Sequence, residues 1–549
     1  MTQRLTLPRF SQLDPVMLKI LGLGLLFRAV LAYWVPLGYD EGYYYLYTQH
    51  LDWSYFDHPV MVALTTGLGP WLTGITHPLT LRLGPLLLYT VSLGLLYLTG
   101  CYLFNLKVAR YTLLLASIIP IFQVGFGVLT LPDSPLVLFW SATLGLASLE
   151  FFQAPPSDYR PSYRLVGLGF LLGLACLSKY HGFVLALSCL GFCLTISPYR
   201  RVFWSPWGGL ALLTFLLTLF PLLYWNSQHD WISFQFQFFQ RFHPVIPEEK
   251  SVYNPLQVLA VFGMGVGLLF PTLGLPLWWA MGRSVQAQWY LPSALAKTFT
   301  DITALKTKLA FLLWLALPLP LGLTLLGGKE QILATWPMPG FWSSTLLLGL
   351  YAAHWEQFSR RGVRRWLAGS VLAIITLLLF FLFHIHTGTL LKAGQHSLGG
   401  GWLEPAQDPA SELLDIDQLR QGVERSPALK QALEQTDFIF TNAYYLGGLI
   451  DLALGPIAHR PVTCFSYDPR GFAFWPNSQA WLGQDALYIT LERFQQNPAL
   501  TQEFSQFFRH FQAIGQVPLT RGGVVVERFY FYQARQLLRP YQAGPDSIR

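Results

Sequence analysis

A polytopic α-helical membrane protein of about eleven transmembrane helices, followed by a soluble α/β domain outside the cytoplasm, is the fold class the sequence predicts. Three observations predict it. Hydrophobic residues make up 53% of the 549 and charged residues only 12%, about half the share of an ordinary soluble domain. The composition is uneven, because apolar runs dominate residues 16–153 whereas 402–549 read as an ordinary soluble chain. Lysine and arginine alternate between dense and sparse from loop to loop, as membrane topology requires.

The expected spans are roughly 16–36, 81–104, 111–131, 134–153, 165–179, 182–198, 207–225, 255–281, 309–326, 337–353 and 367–387. A helix needs about 20 residues to cross the hydrocarbon core. The segments 165–179 and 182–198 are short, which predicts a pair of short helices meeting near Lys179 inside the protein. The first run, 16–36, is long enough to span and has no small-residue cleavage site behind it, so it reads as a span and not as a cleaved signal.

Orientation follows from the basic residues. One set of loops holds Arg283, Lys297, Lys306 and Lys308, then Arg360, Arg361, Arg364 and Arg365, with further pairs at Lys107/Arg110, Arg160/Arg164 and Arg200/Arg201. The opposite loops hold only Arg82, Lys179, Arg241, Lys250 and Lys329. This places the N-terminus in the cytoplasm and, with an odd number of spans, the C-terminal domain outside it, in a plasma or inner membrane. The net charge of +7 therefore reflects topology and gives no reason to invoke nucleic acid. The five cysteines show neither CxxC nor Cys/His zinc spacing, so no structural disulfide is expected.

Two domains follow: a transmembrane domain over 1–390, whose outer loop 37–80 is its most unusual part, and a soluble domain over 391–549, with Gly399–Asp408 as the linker. In the soluble domain Asp437–Phe440, Pro461–Phe465, Ala486–Thr490 and Gly523–Phe531 read as strands. Leu413–Gln435 and Pro498–Gln512 read as helices.

The chemistry concentrates on the outer face. Loop 37–80 carries Asp40, Glu41, Asp52 and Asp57 without any lysine or arginine, among Tyr39, Tyr43, Tyr44, Tyr45, Tyr47, Trp53, Tyr55 and Phe56. Acids at Asp40 and Glu41 also suit a helix N-terminus, which is the plainer reading of that pair. A second acid, Asp57, follows in Phe56-Asp57-His58-Pro59, and a third, Asp133, lies in Leu131-Pro132-Asp133-Ser134-Pro135. Asp133 by itself also reads as a turn or cap residue. Three acids on one face beside aromatic rings suit sugar chemistry: a carboxylate takes the proton of an attacking hydroxyl, and rings stack on sugars. A phosphate leaving group needs positive charge or a metal. Lys179, in Leu177-Ser178-Lys179-Tyr180-His181-Gly182, supplies such a charge, or else snorkels to the interface. His229 and Asp230, in His229-Asp230-Trp231, and Arg241 and His243 in the same outer loop are further candidates. Arg28, inside the first span, reads as structural or as a headgroup contact. Carboxylate and imidazole at Asp57 and His58 suit zinc or manganese, though no spacing demands a metal.

These segments together resemble a known family. Tyr39-Asp40-Glu41-Gly42-Tyr43-Tyr44, with Tyr55-Phe56-Asp57-His58-Pro59, resembles the opening of the bacterial membrane glycosyltransferases related to protein O-mannosyltransferases and to the lipid A aminoarabinose transferase. Leu131-Pro132-Asp133-Ser134-Pro135-Leu136, Leu177-Ser178-Lys179-Tyr180, Trp225-Asn226 with His229-Asp230-Trp231-Ile232-Ser233-Phe234, and Trp336-Pro337 are similar to later family motifs, in order, over about 16–390. The resemblance implies a GT-C (fold-C) glycosyltransferase that takes sugar from a polyprenyl-phosphate donor and transfers it with inversion outside the cytoplasm. By position it implies Asp40 as the main acid, with Glu41, Asp57 and Asp133 beside it. It implies a substrate-binding set of His58, Lys179, Tyr180, His181, His229, Asp230, Arg241, His243, Tyr43 and Tyr44. Asp57 and His58 stand where aminoarabinose transferases carry glutamate and lysine. The acceptor class, lipid, polysaccharide or protein, stays open.

Two other readings compete. A transporter or lipid flippase predicts ionisable residues near the midplane and related halves, whereas here the charges cluster on one face. A noncatalytic scaffold leaves the acid loop unexplained.

Overall fold

The structure is a computed structural model that describes residues 14–238, 253–290, 299, 301–475 and 478–541. By packing, the chain forms two units. The first comprises residues 1–30, 53–65 and 82–376; the second comprises 31–52, 66–81 and 377–549. The second unit thus takes in most of loop 37–80, which the sequence reading grouped with the transmembrane domain.

The first unit is helical. Among the described residues, Pro15–Trp34, Pro78–Leu103, Asp133–Phe151 and Arg360–Thr387 are single helices long and apolar enough to cross a membrane. Four bent pairs raise that number to eight at most, so the expected count of about eleven is not reached on length and apolarity. The chain is a multi-pass membrane protein in which several spans are broken. The run 255–281 is not one span. It forms Pro255–Leu268 and Pro271–Trp289, bent by 116°. Phe270 between them takes a left-handed φ of +69°, and Pro271, which cannot donate a backbone bond, starts the next helix. Pro221 similarly accompanies the 48° bend between Pro206–Thr218 and Phe220–Gln228. The expected span 111–131 ends at Ile118, just before Pro120, and resumes as a π-helical turn, Phe122–Phe126. The two short helices predicted around Lys179 are Arg164–Ser178 and His181–Thr195.

Helix contacts in this unit combine small residues with paired polar groups. Gly169 lets Arg164–Ser178 approach Pro206–Thr218 so closely that a Cβ would stand 2.0 Å from the Ala211 carbonyl oxygen. Asp133–Phe151 and Met338–Phe358 exchange two buried bonds: the Trp140 indole donates to Ser343 and the Trp342 indole to Ser141, both at 2.8 Å. Arg28 is fully buried. Its guanidinium donates to Thr90 at 2.9 Å and to Gln123 of the π turn at 3.2 Å, and lies over the Tyr89 ring. The structural reading of Arg28 therefore accounts for it.

The second unit is built on a five-stranded sheet. Its strands are β3 (Phe438–Thr441), β4 (Val462–Cys464), β5 (Ala486–Leu491), β6 (Phe508–Arg521) and β7 (Val524–Leu537), in the order β4-β3-β5-β7-β6. β3 runs parallel to β4 and β5, while β7 is antiparallel to β5 and β6. β6 and β7 form a hairpin through Gly522 and Gly523, whose φ of +57° and +81° a two-residue turn of this kind requires. A two-residue pairing joins β1 (Leu37–Gly38) to β2 (Leu413–Leu414). The expected strands are all present, but Pro498–Gln512 is not one helix. It is helical only over Pro498–Ser505 and then enters β6. The expected helix 413–435 splits at Ser426-Pro427 into Ile416–Arg425 and Pro427–Gln435.

The linker's last residue is not a surface residue. Asp408 is buried: its Oδ2 accepts from Arg521 Nη1 at 2.8 Å and lies 3.2 Å from His384 Nε2. Leu390 N–H donates to His384 Nδ1 at 3.1 Å.

Candidate functional site

In the first unit four of the sequence motifs converge. Asp133 opens the Asp133–Phe151 helix, where an acid is favoured by the helix N-terminus. Lys179 ends Arg164–Ser178 in extended backbone, φ −157° and ψ 147°. The next helix is held tightly there, since a Cβ on Gly182 would stand 2.4 Å from Ala175 and Cys176 backbone atoms. That break turns the Lys179 side chain onto Asp133. Its ammonium donates to both carboxylate oxygens, at 2.9 and 2.8 Å, with each residue under a tenth exposed. A charge at such depth needs its counter-charge, so each residue fixes the other.

Tyr180 follows. Its ring packs on Phe183 and Phe234. Asp57 is 2% exposed and lies in a turn closed by a bridge between Ser54 and Pro59. The segment 226–237 clamps this turn. Ser233 Oγ donates to the Tyr55 carbonyl at 3.3 Å, and Gln237 Nε2 donates to the Asp57 carbonyl at 2.6 Å. Asn226, fully buried, organises the clamp: its backbone carbonyl accepts from His229 and Trp231, and its side chain accepts from Ser233 N–H. The turn forces Asp230 and Trp231 into left-handed backbone at φ +53° and +59°. His229 stacks on Trp225 at 4.0 Å, and Asp230 is exposed. His181 begins its helix immediately after Tyr180. Asn226 stands in the Trp225-Asn226 motif read from the sequence and Gln237 lies just beyond it, but the sequence reading assigned neither a role.

Asp57 and His58 gain no ligand set. Among the described residues no group of three His, Cys, Asp or Glu side chains is placed to hold a metal ion, so no step is assigned to a metal. Arg241 and His243 lie outside the described residues.

The remaining candidates belong to the second unit, on the helix Tyr39–Gln49. Gly38 precedes it, and Glu41, 2% exposed, accepts from Gly38 N–H at 3.1 Å, closing the helix start. Glu41 is thereby engaged as a cap, while Asp40, one residue earlier, is exposed. The helix packs on Tyr444–Leu454 at near-backbone contact. A Cβ on Gly448 would lie 1.8 Å from the Gly42 carbonyl oxygen, and one on Gly42 would lie 2.8 Å from Leu449 N. Tyr43 is 1% exposed, accepts from Gly471 N–H at 3.0 Å and packs edge-on to Tyr444 and Tyr47. Tyr44 is 5% exposed. Both rings, named in the substrate-binding set, are thus buried in this unit. Trp475 stacks on His50 and meets Tyr47.

Comparison with known proteins bears on this arrangement. Residues 57–225 match the family model described as dolichyl-phosphate-mannose-protein mannosyltransferase. That stretch contains Asp57, His58, Asp133, Lys179 and Tyr180. The structure is similar to ArnT from Cupriavidus metallidurans in its apo state, with a TM-score of 0.57 and 14% identity over 94% of this chain and 97% of that one. It is similar to the same protein bound to undecaprenyl phosphate, with a TM-score of 0.56 and 15% identity over 94% and 97% of the two chains. The comparison with curated proteins gave no match. The family match over residues 57–225, the bent membrane helices and the likeness to ArnT over most of both chains together give this chain the GT-C fold.

Proposed function

We propose that the chain transfers a sugar from a polyprenyl-phosphate donor to an envelope acceptor, with inversion, on the extracytoplasmic side of the membrane. The observation that carries the reading is the buried Lys179–Asp133 ion pair beside Asp57 and Tyr180, inside the stretch that matches a family of lipid-phosphate-sugar transferases. The binding of undecaprenyl phosphate by the similarly folded ArnT supports the same donor class. A transporter or flippase finds no support in these comparisons.

In this reading Asp40 accepts the acceptor hydroxyl's proton. The hydroxyl oxygen forms its bond to the sugar's anomeric carbon from the face opposite the phosphate, and the anomeric C–O bond to phosphate breaks. Polyprenyl phosphate leaves with one more negative charge than it carried in the donor. Lys179, held in place by its two bonds to Asp133, is the proposed cation for that phosphate. Glu41 starts the helix that carries Asp40, and the close contact of Gly42 with Gly448 seats that helix on Tyr444–Leu454. The C-terminal domain in this reading therefore supports the base.

The test is turnover by the purified protein in lipid, given polyprenyl-phosphate sugars and envelope extract. Release of polyprenyl phosphate coupled to a mass gain on an envelope lipid, glycan or protein is expected. Transport of the intact donor across vesicles without cleavage would replace the reading with a flippase.

A further inference from the structure

The second unit contains a groove of about 450 Å³ whose lining includes Ser466, Tyr467, Glu503, Phe507, Arg539 and Tyr541. That volume lies within the ~300–1,000 Å³ of small-ligand sites. The groove draws on three separate pieces of chain. Ser466 and Tyr467 follow the end of β4, fixed by the bond from Phe465 N–H to the Thr441 carbonyl at 2.8 Å. Glu503 lies on the Pro498–Ser505 helix, with Phe507 just after it. Arg539 and Tyr541 follow the end of β7, and Tyr541 stacks on Phe465 at 4.5 Å with the rings 7° from parallel.

The chemistry of the lining is specific. Tyr467 is 75% exposed, unlike Tyr444, Tyr445, Trp475 and Trp481, whose rings all pack against other aromatics of the unit. Its hydroxyl donates to Glu503 Oε1 at 3.1 Å. The Arg539 guanidinium lies 4.4 Å from the Phe507 ring centroid. The groove thus offers a planar fork of N–H donors, a carboxylate acceptor, three hydroxyls and aromatic faces.

We propose that this groove binds a neutral saccharide. Vicinal hydroxyls present paired donors and acceptors that a carboxylate and a guanidinium meet together, and the apolar C–H face of the ring lies on an aromatic side chain. Glu503 and Arg539 cancel in formal charge, which favours a neutral ligand over a phosphate or an acidic sugar. The mixed polar and aromatic lining also differs from the apolar trough that a lipid chain would need. The assignment stands whether or not the transfer reading holds, because binding is read without any donor.

Saturation-transfer NMR on the full-length protein in lipid nanodiscs tests it, with mannobiose, maltose and diacetylchitobiose as probes. At least one neutral disaccharide should show transfer to its ring protons, with millimolar or tighter affinity. Tyr467→Ala and Arg539→Gln should each weaken that binding about tenfold at unchanged Tm, while Tyr467→Trp should keep it. Absence of binding by all three probes, binding unaltered in Tyr467→Ala, or displacement only by a phosphorylated sugar or a peptide would overturn the proposal. Donor turnover measured on the same preparations separates this failure from a failure of the transfer reading.

Discussion

Lys179 reaches both carboxylate oxygens of Asp133, across 46 residues of sequence and two helix ends, to form a bidentate buried ion pair. Removing one partner strands the other charge, which costs about 3–5 kcal/mol. Asp133→Asn and Lys179→Met should each lower Tm sharply, and the double variant should recover much of the loss. The pair also separates structure from chemistry. If the double variant regains stability but not sugar transfer, the pair takes part in the transfer itself. If transfer returns with stability, the pair is only structural.

Gly448 sits where any side chain collides with the Gly42 carbonyl. Gly448→Ala should force the helix Tyr39–Gln49 off Tyr444–Leu454, at about 1–3 kcal/mol, the usual scale for overpacking. Because Asp40 rides on that helix, transfer should fall more than thermal stability does. A substitution tolerated in both measurements would show that the contact does not position Asp40.

Part of this was legible in the sequence. The apolar runs and the break at Lys179 are composition and length effects: 16–36, 81–104, 134–153, 165–179 and 182–198 emerged as helices close to the expected limits, whereas 111–131, 207–225, 255–281 and 309–326 are interrupted. The strands β3, β4 and β5 matched their short apolar runs. Three things were not legible. β6 was hidden because Phe504, Phe507, Phe508 and Phe511 recur at helical spacing, so the chain turns from helix to strand without a change of pattern. Pro518 was no obstacle, since β6 is an edge strand. The bend at Phe270 needs a left-handed residue in an unbroken apolar run, which hydropathy does not register. The fate of the acids was also beyond sequence. Asp40 and Glu41 are neighbours, yet only the helix geometry directs Glu41 back to cap Gly38 and leaves Asp40 exposed.

Asp451, on the Tyr444–Leu454 helix, has its carboxyl pushed up to about 6 by burial, opposed in part by His459. Tyr45 lies close enough to feel its charge. The folded protein therefore holds this proton where the unfolded chain, near pH 4, has lost it. Stability from this group is full below about pH 4 and declines as pH rises to about 6, by about 2–3 kcal/mol in all. Asp451→Asn should raise Tm at pH 8 and change it little at pH 4. A Tm shift equal at both values would contradict the assignment.

Topology has a direct check. Ala406 is exposed in the linker, whereas Asp408 two residues on is buried in its contacts with Arg521 and His384. A cysteine placed by Ala406→Cys should react with a membrane-impermeant maleimide from outside intact cells. Reaction only after permeabilisation would reverse the orientation.

The central claim is that Asp40 is the base for transfer. It stands exposed at the first turn of its helix, one residue before the capping Glu41. Asp40→Asn keeps the shape and removes the charge, so the fold and donor binding should survive. The decisive measurement is the rate of sugar transfer by purified Asp40→Asn in lipid, from a polyprenyl-phosphate sugar to its acceptor. A fall of about two or more orders of magnitude, the scale of a lost general base, is the predicted result; transfer within a fewfold of the unaltered protein would contradict it and shift the role to Asp57 or Asp133.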